Sequence, residues 1–307
     1  MRTYLTLAIA IVLALALAIP AAATLTTSGL VLHMNAQDID GAGTVGTTGG
    51  VDEDPWEDIA NVVDWSGVNP VGFEGKLSGH DDTAGSGWES PGMLQFNSGH
   101  PDIVWLANNA PDTHLPAAIE TNAWTVETWV SATSSQITVL SAGRTYPSST
   151  GSGYHTGTRY SWHGAVEYPS MHARVFTANG EFNVYGDTNT HPNVNGGLHH
   201  LVYQYDGSNV NLYLDGDLDG TAAVTGDMDW ENGSSYNTQM MIGGKYVTSY
   251  WDEMLAGDLY AVRVYNRALS SGEVTGNYEA GADAIPEPAT LLLLSVVALG
   301  FGLRNRR

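Results

Sequence analysis

Leu198-His199-His200-Leu201-Val202-Tyr203-Gln204-Tyr205-Asp206-Gly207-Ser208-Asn209-Val210-Asn211-Leu212-Tyr213-Leu214-Asp215-Gly216 reads as two strands, each closed by a turn. Successive side chains of an extended chain point to opposite faces. Leu201, Tyr203 and Tyr205 therefore share one face, with Val202 and Gln204 on the other. Val210, Leu212 and Leu214 share a face opposite Asn211 and Tyr213. Asp206-Gly207-Ser208-Asn209 has hairpin-turn chemistry, and Asp215-Gly216 makes the next turn. An apolar face of this kind must be covered by a second layer.

Working outward, more strands of the same sort follow. Trp124 to Val130 alternates large apolar with polar or small residues. Leu30 to Met34, Met93 to Phe96, Asp102 to Leu106 and Leu259 to Tyr265 are further short β-rich runs. Gly41 to Gly50 and Gly143 to Tyr168 read as loop-rich stretches, and the one short helical candidate is Ser270 to Ala280. The 36 glycines suggest many turns, and no internal repeat is visible. Short strands with frequent turns predict an all-β sandwich in a single central domain, residues 24–283.

The two ends differ in composition from this middle. Met1-Arg2-Thr3-Tyr4 leads into an apolar run from Leu5 to Ile19, then Pro20 and Ala21-Ala22-Ala23. That pattern predicts a secretory signal peptide over residues 1–23, helical, and cut by signal peptidase after Ala23. At the other end Pro286-Glu287-Pro288 precedes an apolar run from Leu291 to Leu303 and the basic end Arg304-Asn305-Arg306-Arg307. As a helix, 289–303 would span about 22 Å, short of the ~30 Å hydrocarbon core. A transient insertion into the inner membrane suits it better than a permanent anchor.

Four of the eleven basic residues, Arg2, Arg304, Arg306 and Arg307, lie in these tails, so the middle is left with seven. The net charge of the whole chain is −22. Such a surface repels nucleic acid and anionic lipid, and could attract divalent cations. The absence of cysteine excludes thiol catalysis and thiolate metal sites.

Pro286-Glu287-Pro288, the short apolar helix and the terminal arginine cluster together resemble the PEP-CTERM sorting signal, over residues 284–307. The resemblance implies an exosortase-type transpeptidase as partner, processing near the Pro-Glu-Pro, and a membrane-held precursor. It also implies a final place on the cell surface or in an exopolysaccharide matrix.

The strands carry a second resemblance. Trp124-Thr125-Val126-Glu127-Thr128-Trp129-Val130, then His199 to Ser208, Val210 to Gly216, Ile242-Gly243-Gly244 and Gly257 to Ser270 stand in the order found in laminin-G-like domains. These belong to the concanavalin A-like lectin/glucanase superfamily. The resemblance extends from about Gly29 to Tyr278 and implies a two-sheet antiparallel jelly-roll sandwich. Domains of that branch often hold one calcium at the sandwich rim through Asp and Asn side chains and carbonyls, so calcium is the candidate ion here. Asp38, Asp40, Asp81, Asp82, Asp187 and Asp258 are available, and Asp258 is the position left on the final strand, where Tyr260-Ala261 replaces the family's acidic pair.

Glucanases of this superfamily place carboxylates at alternate positions of one strand, and glycoside hydrolysis needs two carboxyls about 5–10 Å apart. No such run occurs here. Glu53-Asp54 and Glu57-Asp58 are mis-spaced beside Pro55, and Glu127 is a lone strand carboxylate. His199-His200 reads as structural. Carbohydrate recognition uses exposed aromatic faces with polar neighbours. Tyr146, Tyr154, Tyr160, Trp162 and Tyr168 cluster after Ser141 and are the candidate ligand-binding residues. The expectation is a non-catalytic binding or structural module with a polysaccharide ligand. The alternatives are a polysaccharide-acting hydrolase or lyase, and a matrix protein without a specific ligand.

Overall fold

The computed structural model describes residues 24–36, 121–132, 137–143, 162–167, 170–187, 197–228, 239–243, 245–247, 250–252, 255 and 257–284. It also describes the strand segments 56–57, 74–78, 87–89, 93–96 and 103–105. The expected signal helix and the C-terminal apolar helix lie outside the described residues, as do Ala23, Pro286, Glu287, Pro288 and the three terminal arginines.

The chain runs through β1 (Leu30–Asn35), β2 (Trp56–Glu57), β3 (Glu74–Ser78), β4 (Gly87–Glu89), β5 (Met93–Phe96) and β6 (Ile103–Trp105). Next come β7 (Trp124–Ala132), β8 (Ile137–Gly143), β9 (Trp162–Glu167), β10 (Ser170–Thr177), β11 (Gly180–Tyr185) and β12 (His199–Tyr205). Then follow β13 (Asn209–Leu214), β14 (Asp217–Ala223), β15 (Gln239–Ile242), β16 (Lys245–Val247), β17 (Tyr250–Asp252), β18 (Gly257–Tyr265) and a helix, α1 (Ser271–Ala280).

Two eight-stranded sheets result. The first has the order β14-β13-β12-β7-β18-β5-β4, with β1 also paired to β18. The second has the order β11-β10-β9-β8-β15-β6-β3-β2, and β16 pairs with β17. The pairings of the described strands are antiparallel.

Side-chain alternation fills the space between the sheets. Leu201, Tyr203 and Tyr205 of β12 and Val210, Leu212 and Leu214 of β13 enter one apolar core. Trp124, Val126 and Val130 of β7 and Met171, Ala173 and Val175 of β10 join them. Fully burying a side chain of this size contributes about 1.5–3 kcal/mol. The turn at Asp215-Gly216 has positive φ at both residues, 52° and 87°, the backbone of a two-residue type I′ hairpin. A register shift between Leu259 and Ala261 lets Leu259 and Val262 both reach the core although three positions separate them.

The outer face of the first sheet is covered as well. Val202, Tyr213, Tyr265 and Leu30 pack with Leu269 and with Val274 of α1. That second cover explains why β12 reads as buried on both faces. The short helix starts on a capping box: the Ser270 hydroxyl accepts from the Glu273 amide, and the Glu273 carboxylate accepts from the Ser270 amide. Arg267 clamps the same carboxylate at 2.6 and 3.0 Å, and together with the Ser270 donors it lowers Glu273 to about 2 against the opposing effect of burial. Among the described residues no helix is long and apolar enough to cross a membrane.

Trp162 departs from expectation. It opens β9, which pairs with β8 on one side and β10 on the other, instead of sitting in a loop. Trp162-His163-Gly164-Ala165-Val166-Glu167 has small residues at its centre, so its period is faint in sequence. Backbone pairing on both edges makes it a strand.

Candidate functional site

The outer face of the second sheet, at β10 and β11, presents a set of polar and aromatic side chains. Met171, Ala173 and Val175 face the core, so His172 and Arg174 between them point outward. On β11, Phe182 and Val184 pack on the core, leaving Glu181, Asn183 and Tyr185 outward. The register sets His172 directly opposite Tyr185 and Arg174 directly opposite Asn183.

Those cross-strand pairs interact. The rings of His172 and Tyr185 stack, with centroids 4.4 Å apart and planes 7° from parallel. His172 is buried beneath, while Tyr185 is 52% exposed. An aromatic ring is thus held firmly on one side and still offers area to solvent. Beside it, Arg174 Nε donates to Asn183 Oδ1 at 3.2 Å and lies 3.1 Å from Glu181 Oε1. His172 Nε2 meets the same Asn183 oxygen at 3.0 Å, and Asn183 Nδ2 donates to Glu181 at 3.2 Å. The arginine and glutamate balance in charge, so the set is polar without a net sign.

Gly220 positions this edge. A Cβ there would lie 2.5 Å from the Tyr185 carbonyl oxygen, so only glycine lets β14 approach β11 so closely. Chemically the face can stack on an apolar sugar face and exchange hydrogen bonds with hydroxyls.

The first sheet carries a different polar cluster under α1. Glu127, Arg263, His33, His200 and Asn277 are all buried. Asn277 Nδ2 donates to both Glu127 oxygens, at 2.9 and 3.0 Å, and Arg263 lies 4.0 Å away. Burial raises Glu127 to about 7, against the lowering effects of Arg263, Asn277 and Tyr265. Burial, helped by Arg263, lowers His200 to about 3 and pushes His33 well below its usual value. Both rings are therefore neutral near neutral pH, and His33 Nε2 accepts from Arg263 Nε at 3.2 Å. Arg263 also lies over the Trp129 ring at 4.3 Å, and Trp129 stacks on His200. This cluster is sealed from solvent and holds secondary structure together.

The expected residues are distributed as follows. Tyr146, Tyr154, Tyr160 and Tyr168 lie outside the described residues. Trp162 is one strand from the new face, its backbone opposite Val175 of β10. His199 Nδ1 meets Asp215 Oδ2 at 2.8 Å while the His200 amide donates to Asp215 Oδ1, so that histidine pair anchors the Asp215-Gly216 turn. Asp258 belongs to β18, opposite Gln95 and Ser131. Among the described residues no three His, Cys, Asp or Glu side chains gather as a metal site. Tyr185 and His172 escaped the sequence reading. The available signal was Glu181-Phe182-Asn183-Val184-Tyr185, a period-two strand with its tyrosine on the polar phase.

Residues 107–275 match the family model described as the concanavalin A-like lectin/glucanases superfamily, and residues 284–307 match the PEP-CTERM protein-sorting motif. Among solved structures, a mutant Trypanosoma rangeli sialidase displaying trans-sialidase activity is similar with a TM-score of 0.51 and 14% identity. The match covers 85% of this chain and 34% of the sialidase, so this chain spans about a third of that protein. The carbohydrate-binding module CBM40 of a Ruminococcus gnavus IT-sialidase, bound to α2,3-sialyllactose, is similar with a TM-score of 0.41 and 14% identity, covering 52% of this chain and 84% of the module. No curated protein sequence matches. At 14% identity the likeness to the sialidase shows the fold alone.

Proposed function

The chain belongs to the concanavalin A-like lectin/glucanases superfamily, and from that premise we propose that it is a non-catalytic carbohydrate-binding module of the cell surface. The sorting motif implies export, exosortase processing and surface sorting. A signal peptide ending at Ala23 is the route of export in this reading, and an exopolysaccharide matrix is the place of work.

The observation that carries the reading is the half-exposed Tyr185 stacked on buried His172, beside Arg174, Asn183 and Glu181. A ring already held by a neighbour loses little conformational freedom on binding. The environment of Glu127 supports the non-catalytic half of the reading. This strand carboxylate is fully buried and held by Asn277, so no glycan can reach it.

A glycan array with the mature protein tests the proposal, run with and without calcium because laminin-G-like domains often hold that ion at the sandwich rim. Binding is expected, with Tyr185→Ala weakening it about tenfold or more, equivalent to roughly 1.4 kcal/mol. Absence of binding by the unaltered protein in both conditions would favour a purely structural matrix role. Release of reducing ends from a polysaccharide would favour the enzyme reading.

A further inference from the structure

Both ends of the described domain converge on the buried cluster of the first sheet. Thr26 follows the expected Ala23 cleavage site by three residues. Its amide donates to Asn277 Oδ1 at 2.7 Å, and its carbonyl accepts from the Tyr265 hydroxyl at 3.1 Å. At the other end, one guanidinium nitrogen of Arg263, Nη2, reaches the carbonyls of Gly281, Ala282 and Ala284 at 3.0, 3.1 and 2.9 Å. Asn35 Nδ2 donates to the Ala282 carbonyl as well, at 3.1 Å. Arg263 is itself fixed by His33 and Trp129.

Ala284 precedes Pro286 by two residues, at most about 7 Å of extended chain. We propose that the folded domain masks the upstream flank of the sorting motif: Arg263 and Asn35 hold residues 281–284 on the sheet, and the sorting transpeptidase must draw them off before it can act near Pro286. An extended peptide segment is recognised largely through its main-chain hydrogen-bonding groups. Here three of those carbonyls share the two hydrogens of one charged donor, in part-buried bonds that charge assistance strengthens. The masking lies in the domain and requires no contact from the tail itself. Arg263 and Asn35 are positioning residues in this scheme. The scheme rests on the motif's processing and is independent of any glycan.

Pulse-chase measurement of tail removal, on the full chain in a host carrying the sorting enzyme, tests it. A six-residue Gly-Ser spacer inserted between Ala284 and Ile285 leaves every domain residue unaltered and frees the flank. It should speed processing at least threefold. Asn35→Ala removes one of the docking bonds and should also speed processing, by about twofold, at a growth temperature where circular dichroism shows the variant folded. The masking requires both results. An unchanged or slower rate with the spacer overturns it, and so does an unchanged rate for a folded Asn35→Ala protein.

Discussion

His200 lies between the rings of Trp129 and Tyr278, its centroid 4.1 and 5.9 Å from theirs, with Glu127 Oε1 3.8 Å from its Nε2. Among the described residues neither of its ring nitrogens has a hydrogen-bond partner. Burial foremost, then the Arg263 charge, holds it at about 3, against a raising effect of Asp215. An unfolded chain protonates both His200 and His33 near 6.5, whereas the native state does not, so each costs stability as the pH falls below that value. Glu127 acts in the opposite sense. With its native value raised from 4.5 to about 7, its contribution is fully present below about 4.5 and is lost as the pH rises through 7. Two histidines against one carboxyl leave a net loss between about pH 6.5 and 4.5. The melting temperature should therefore fall across that window, and His200→Gln should flatten the slope. A slope identical to that of the unaltered protein would contradict the assignment. Sequence placed Glu127 on a strand and favoured a structural role for His199-His200. The burial that shifts Glu127 and His200 comes from α1 folding over the sheet, which no local pattern records.

At the level of elements, α1 is only ten residues long, too short to be stable alone. It persists because Val274 and Asn277 are buried against the sheet and because its first turn is capped. Ser270→Ala removes the hydroxyl that accepts from the Glu273 amide and should lower stability by about 1 kcal/mol. Urea unfolding would measure it, and a loss below about 0.3 kcal/mol would mean that packing alone holds the helix. The helix was legible as the one short candidate, Ser270 to Ala280, within one residue of the observed Ser271–Ala280. The β12–β13–β14 hairpins were legible because alternation and turn residues are local. Strand β9 was not, because its identity depends on partners far away in the chain.

For the molecule as a whole, contacts spanning nearly the full domain join its first and last residues. Thr26 and Asn277 are 251 positions apart. A chain beginning at Ser28 would leave the buried Asn277 amide oxygen without the Thr26 amide, and the Tyr265 hydroxyl without the Thr26 carbonyl it donates to. Each such loss costs about 1–3 kcal/mol, so truncation should lower unfolding free energy by roughly 2–6 kcal/mol; equal denaturant midpoints would refute the tie. Composition, strand periodicity and turn chemistry by themselves determined an all-β sandwich, its central hairpins and the two distinctive ends, because each of these is written in neighbouring residues. Only the tertiary structure decided that Tyr185 rests on His172, that Glu127 is buried beneath a helix, and that Arg263 holds the chain just before Pro286. Those pairings are set by cross-strand register and by the packing of segments up to 251 residues apart, and neither leaves a trace in a local window of sequence.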